Sequence, residues 1–350
     1  MKNIKLLSLS LLTSAILGSS LVMANDDFLG ADLKSGKNKV SFQSENTRIA
    51  GNVFLPPNYK PSKSYPAIVV ITPASGVKEQ TAGIYAEKLA LKGYIAMAFD
   101  HRTYGESGGY PRGMENAPMK VEDIKSAISF IRRFPGVDSN RVGELGLCSG
   151  AGYSLQTAMQ DTRIDSVATV SGFVDFTDYA MGGATQYMDV LKGTPVEQYR
   201  QQIEMASEAR QKYFDTGEVV LVDGIPTQQS AKDMNAFWVR AADYYRNPER
   251  GGGAENYTPM RAAMSLDTRY AFNPSEHMEL LSNTPYMAVI GTEALSAYFS
   301  EVAVKRSKEK GGNAELVKIQ GAKHFDLYDQ EQYVNQAVQE LDRFYSATLN

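Results

Sequence analysis

Short apolar runs alternate with stretches of helical period along most of this chain, and that rhythm leaves few folds open. Ala67-Ile68-Val69-Val70-Ile71 is a continuous run suited to a strand buried on both faces. Residues 79–92 carry Ile84, Leu89 and Leu91 at helical spacing and stop at Gly93, and residues 94–99 form a second buried strand. A helical stripe through Ile124, Ala127, Ile128 and Ile131 follows. Then come a strand at 141–147, a helix at 151–160 and a strand at 166–170. Strands separated by helices at this spacing predict an α/β fold, a mostly parallel sheet wrapped by helices.

After Ser171 the rhythm breaks. Residues 175–274 read as mainly helical or irregular, rich in Tyr, Met and Gln, with one short strand candidate at Val219-Val220-Leu221-Val222. The alternation resumes with a strand at 286–290, a helix at 296–308, a strand at 316–319 and a helix at 330–347. The expected organisation is a core built from 25–174 and 275–350, interrupted after the sixth strand by a largely helical cap at 175–274. A hairpin, 40–43 with 48–55, precedes the core and is closed by Pro56-Pro57.

Residues 1–24 stand apart from this pattern. A basic start, Met1-Lys2-Asn3-Ile4-Lys5, leads into an apolar run at 6–22, and Val22-Met23-Ala24 offers small residues before Asn25. That is the anatomy of a secretory signal peptide. The run is diluted by Ser, Thr and Gly, unlike a spanning helix. The expectation is a periplasmic or secreted protein with no stable membrane insertion after cleavage. The 36 Lys and Arg against 40 Asp and Glu leave a net charge of −4 with no basic stripe, which argues against a nucleic-acid partner.

The chain has one cysteine, unusual where export favours paired ones. It is either an inert core thiol or a reactive one. Its neighbours decide: Gly146-Leu147-Cys148-Ser149-Gly150 joins a strand to a helix, the context of a nucleophile elbow. The central residue of such a turn is strained, and small residues two positions either side prevent a clash. Its side chain then projects beside the positive end of the next helix, which favours a thiolate. With Ser149 at the centre the first glycine would be missing, so Cys148 fits the register.

A nucleophilic thiol needs a base, and His101, His277 and His324 are the histidines present. His101 follows a strand too early for the order nucleophile, acid, histidine, and His277 lies in a helical pattern. His324 lies in a loop between the last strand and the last helix, where the base belongs. The acid that orients it should follow the strand at 286–290. No Asp occurs between Gly291 and His324, so Glu293 is the candidate, with Asp175 as the alternative. The oxyanion hole needs two backbone donors. One is the N–H of Ser149. Pro73 has no N–H, so Ala74 is the first usable donor after the strand that ends at Ile71.

Other features read as framework. Residues 100–109 form a Gly-rich turn that lacks the Gly-Lys-Ser/Thr ending of a phosphate loop. The histidines do not have metal-ligand spacing, and no cofactor is expected. Tyr179, Tyr187, Tyr213, Phe214, Phe237, Trp238, Tyr244 and Tyr245 in the cap are either its own core or the lining of an acyl pocket.

The stretches Arg141-Val142-Gly143-Glu144-Leu145-Gly146-Leu147-Cys148-Ser149-Gly150-Ala151-Gly152-Tyr153 and Gly321-Ala322-Lys323-His324-Phe325-Asp326-Leu327-Tyr328 resemble dienelactone hydrolase-related bacterial α/β-hydrolases. Lys78-Glu79-Gln80-Thr81, Gly105-Glu106-Ser107-Gly108-Gly109, Tyr244-Tyr245-Arg246 and Ala294-Leu295-Ser296-Ala297-Tyr298-Phe299-Ser300 extend the resemblance over nearly the whole chain from about residue 40. It implies the α/β-hydrolase fold and a Cys-His-acid triad with Cys148 and His324. This chain departs from the enzyme that names the family in its long insertion, in a Glu where that enzyme has Asp, and in Ala151 where glycine is common. The expected activity is cleavage of a small-molecule ester or lactone through a thioester, acyl-homoserine lactones being one reachable class. A peptidase or acyltransferase on the same triad, or a non-catalytic binding protein of this fold, are the alternatives left open by sequence.

Overall fold

The computed structural model describes residues 32–177, 195–281 and 283–350. The signal segment expected at 1–24, and Tyr179 and Tyr187, lie outside the described residues. Eight strands form one sheet in the order β1-β2-β4-β3-β5-β6-β9-β10. They are β1 (Gly36–Ser44), β2 (Thr47–Leu55), β3 (Tyr65–Ile71), β4 (Ile95–Phe99), β5 (Val137–Leu147), β6 (Ser166–Val170), β9 (Tyr286–Gly291) and β10 (Ala314–Ile319). The hairpin β1–β2 and the pair β2–β4 are antiparallel, and all other pairs are parallel. This is the mostly parallel sheet expected from the alternation, in the α/β-hydrolase fold that the resemblance implies.

The period of two along each strand sends side chains to two separate cores. Ala67, Val69 and Ile71 of β3 and Ile95, Met97 and Phe99 of β4 enter one core, and Ile68, Val70, Ala96 and Ala98 enter the other. The first core is covered by α2 (Ala117–Ile131), α3 (Gly150–Gln160) and α8 (Ala297–Glu309), the second by α1 (Thr81–Leu91) and α10 (Glu331–Thr348). Both faces are therefore dry, which is why these strands are runs of apolar residues rather than alternating ones.

Helix boundaries moved where local hydrogen bonds decide them. The α2 helix starts at Ala117, seven residues before its apolar stripe at Ile124, because the Asn116 side chain accepts from Met119 N at 3.1 Å and caps the first turn. The α1 helix starts at Thr81, two residues late. Lys78 N–H donates to Asp100 Oδ1 at 2.7 Å, and Val77 N–H to Gln80 Oε1 at 3.0 Å, holding residues 77–80 out of the helix.

Between β6 and β9 the described chain forms α4 (Pro195–Thr216), β7 (Leu221–Asp223), α5 (Gln228–Ala231), α6 (Ala236–Tyr245), β8 (Met260–Ala262) and α7 (Leu266–Tyr270). The β7 strand pairs antiparallel with β8, with Val222 opposite Arg261. The sequence marked β7 but not β8, whose three residues carry no period. His277 is exposed and faces Glu279 at 3.5 Å. The Gly-rich turn is framework: Asp100 is buried against Lys78 Nζ at 2.8 Å, and Glu106 joins the same amine at 2.6 Å. A Cβ on Gly105 would stand 2.2 Å from Asp100 Oδ2, so only glycine fits there.

Candidate active site

The central strand β5 ends in a turn whose backbone is set by its glycines. Cys148 has φ = 51°, a conformation that L-residues rarely adopt. A Cβ on Gly146 would lie 2.6 Å from Ala151 Cα, and one on Gly150 would lie 2.7 Å from the carbonyl oxygens of Ile71 and Thr72. Both positions require glycine, so the spacing noted in the sequence has a steric cause. Cys148 N–H donates to Val170 O at 3.1 Å, and Cys148 O accepts from Phe173 N at 2.8 Å, which ties the turn to the end of β6. Ser149 and the α3 helix follow directly.

His324 lies on the loop after β10, anchored by Ser171 Oγ donating to His324 O at 3.1 Å. The loop also presses on the end of β9, where Glu293 N–H donates to Ala322 O at 3.0 Å and a Gly291 Cβ would meet Ala322 O at 2.1 Å. The His324 ring is buried and edged by Phe237 and Phe325. Its Nδ1 is hydrogen-bonded to the Ser296 hydroxyl, and its Nε2 stands 3.1 Å from Tyr328 Oη. Burial, with no charged group to offset it, pushes the imidazole down to about 3.

The two acids named from sequence sit elsewhere. Glu293 is 55% exposed in its side chain and pairs with Lys323 Nζ at 3.1 Å. The loop after β9 turns so that Ser296, three residues further on, faces the imidazole instead. Asp175 is buried against the Ser275 hydroxyl and Arg306 Nη1, the latter at 3.3 Å. Sequence reasoning missed Ser296 because it searched for a carboxylate.

Tyr328 was also missed as a site residue. It follows His324 by four positions, and the short helix α9 (Asp326–Asp329) brings the phenol back over the ring. Its phenol lines the same pocket as Cys148 and Tyr245 of α6. Burial first, and then these two neighbours, push it well above the usual phenol value. The i, i+4 spacing was the available signal.

Ala74, Ser149 and Cys148 line one pocket, together with Phe237, Trp238 and Tyr245 from α6. Among the described residues, neither the Ala74 nor the Ser149 N–H donates a backbone hydrogen bond. The neighbouring Ser75, at φ = 57°, instead donates its N–H to Glu115 Oε2 at 3.1 Å. Glu115 is buried and also accepts from Lys120 Nζ at 2.6 Å, Tyr153 Oη at 2.7 Å and Tyr104 Oη at 2.8 Å. This buried cluster holds the Ala74 turn. Of the remaining cap aromatics, Tyr244 is buried and Phe214 is 85% exposed. No group of metal-ligating side chains occurs among the described residues. Nor is any described helix long and apolar enough to cross a membrane.

The model of the dienelactone hydrolase family matches residues 50–181. The uncharacterized protein YcjY of Escherichia coli K12 is 33% identical over 319 residues, which cover 89% of this chain and 99% of that protein. The crystal structure of the hypothetical protein PA2218 from Pseudomonas aeruginosa superposes with a TM-score of 0.78 at 28% identity, covering 90% of this chain and 94% of that one. The quorum-quenching protein AidA of Acinetobacter baumannii is 30% identical over 136 residues, 39% of this chain and 44% of that protein. The fold, the elbow and these similarities agree: the chain belongs to the dienelactone hydrolase-related α/β-hydrolases, a family of ester and lactone hydrolases.

Proposed function

We propose that this hydrolase cleaves a small carboxylic ester or lactone by covalent catalysis, with Cys148 as nucleophile and His324 as base. The observation that carries the reading is the strained turn at Cys148, held by Gly146 and Gly150, opening into a pocket walled by Phe173, Phe237 and Trp238. The thiol gives up its proton toward His324, and sulfur attacks the carbonyl carbon. The N–H groups of Ala74 and Ser149 receive the oxyanion. The alcohol leaves with a proton, or a lactone ring opens, and water hydrolyses the thioester.

The apolar and aromatic wall formed by Phe173, Ile225, Phe237 and Trp238 suits an acyl chain. A lactone bearing such a chain, as in acyl-homoserine lactones, is the favoured substrate class. The partial similarity to a quorum-quenching protein supports that choice. Export to the periplasm or medium, after removal of residues 1–24, would bring the enzyme to such molecules.

Hydrolysis of short p-nitrophenyl esters and ring opening of acyl-homoserine lactones test this, comparing the unmutated protein with Cys148→Ala, His324→Ala and Ser149→Ala. Loss with the first two variants and retention with Ser149→Ala is expected. Activity indifferent to Cys148 would overturn the mechanism.

A further inference from the structure

The Tyr328 hydroxyl stands at His324 Nε2, the nitrogen that a direct Cys-His pair would use. Tyr328 Oη is 3.1 Å from His324 Nε2, and the phenol lines the same pocket as Cys148, whose thiol helps raise its pKa. The residue is fixed in that place. Thr81 Oγ1 donates to Tyr328 O at 2.9 Å, and Tyr85 Oη to Leu327 O at 2.8 Å, so the α1 helix pins the backbone of α9. From the other side Arg250 Nε donates to Asp329 Oδ2 at 2.8 Å. The phenol is buried, and the ring of Tyr245 from α6 packs edge-on against it at 6.2 Å between centroids. A group held by two secondary elements and the insertion is positioned, not merely packed.

We infer that Tyr328 is a catalytic residue that carries the thiol proton of Cys148 to His324. This rests on the Cys148–His324 reading above. In the acylation step the Sγ–H bond breaks and its proton goes to Tyr328 Oη. The Tyr328 O–H bond breaks at the same time and its proton goes to His324 Nε2. The sulfur electron pair forms the bond to the carbonyl carbon, the C=O π pair moves to oxygen, and tyrosine ends neutral. On collapse, one proton returns from Nε2 through the same hydroxyl to the leaving alkoxide. The relay requires the tautomer in which Nδ1–H donates to the Ser296 hydroxyl, which leaves Nε2 as the acceptor.

The test is single-turnover acylation by a p-nitrophenyl ester, followed in mixtures of H₂O and D₂O, for the unmutated protein and Tyr328→Phe. Two protons in flight predict a bowed dependence on deuterium fraction for the unmutated enzyme. The variant should show a dependence closer to linear, an acylation rate about 100-fold lower and a KM within a few fold. A structural role alone would not straighten the isotope dependence. The wild-type curve keeps the relay falsifiable even if the variant does not fold. A linear wild-type curve, or a Tyr328→Phe enzyme that acylates as fast as or faster than wild type, would overturn the relay. Retained activity in Cys148→Ala, run alongside, would instead sink the nucleophile assignment.

Discussion

The His324 imidazole meets the Ser296 hydroxyl at Nδ1, where an acid-assisted triad has a carboxylate. A neutral partner can fix the tautomer and the ring orientation, but it supplies no charge to stabilise an imidazolium. The Ser296→Ala enzyme should therefore lose about 10-fold in kcat with little change in KM, the cost of one hydrogen bond to a charged ring. Glu293→Gln, which disturbs the exposed pair with Lys323, should stay within about twofold of wild type. Steady-state kinetics on a p-nitrophenyl ester check both.

Two buried ionisable groups set opposite slopes of stability with pH. His324 is held down to about 3 by burial, below its ordinary 6.5. Between those values the unfolded chain binds a proton that the native one does not, so stability falls as pH drops from 6.5 toward 3. Glu144 is pushed well above 4.5, by burial first and then by Asp161, and among the described residues neither of its side-chain oxygens has a hydrogen-bond partner. There the native chain keeps a proton that the unfolded one has lost, and stability falls as pH rises above 4.5. Urea titrations across pH 4.5–8 should show Glu144→Gln gaining on wild type steadily as pH rises, with no gain at the acid end.

Glu115 accepts from Lys120, Tyr153, Tyr104 and the Ser75 N–H. A glutamine presents donors where its neighbours are all donors, and it leaves the buried Lys120 ammonium without its counter-charge. Glu115→Gln should lower unfolding free energy by about 3 kcal/mol. It should also reduce kcat, because the Ala74 turn is no longer clamped. Denaturant unfolding and kinetics on the same preparation read both effects, and a stable, fully active variant would show that the clamp is unnecessary.

The single tryptophan of the chain, Trp238, lines the cavity beside Cys148. A non-hydrolysable acyl analogue should change its fluorescence on binding. Trp238→Ala should raise KM for long acyl chains more than for acetyl, since about 0.8 kcal/mol is lost per CH₂ no longer covered.

Much of this is legible in the sequence, for identifiable reasons. The β-branched runs gave the sheet because both its faces are dry, and the elbow could be read because sterics demand glycine at Gly146 and Gly150. His324 could be placed by its position after the last strand. The partner at Nδ1 could not, because which side chain of the loop after β9 faces the ring depends on where the chain turns between Gly291 and Ala297. The Glu115 cluster was invisible because it gathers residues from loops and two helices spanning positions 75 to 153. Sequence leaves the cap aromatics between core and pocket: Phe237 and Tyr245 do both, Trp238 lines the pocket, and exposed Phe214 does neither.

Covalent attachment of the acyl group is the most direct test of the central claim. The enzyme would be mixed with a slowly deacylating ester, quenched in acid within milliseconds to seconds, digested and mapped by mass spectrometry. A mass increase equal to the acyl group on Cys148, absent in Cys148→Ala, is the predicted result. An adduct on Ser149, or turnover with no adduct on Cys148 at any quench time under a measured burst, would contradict it.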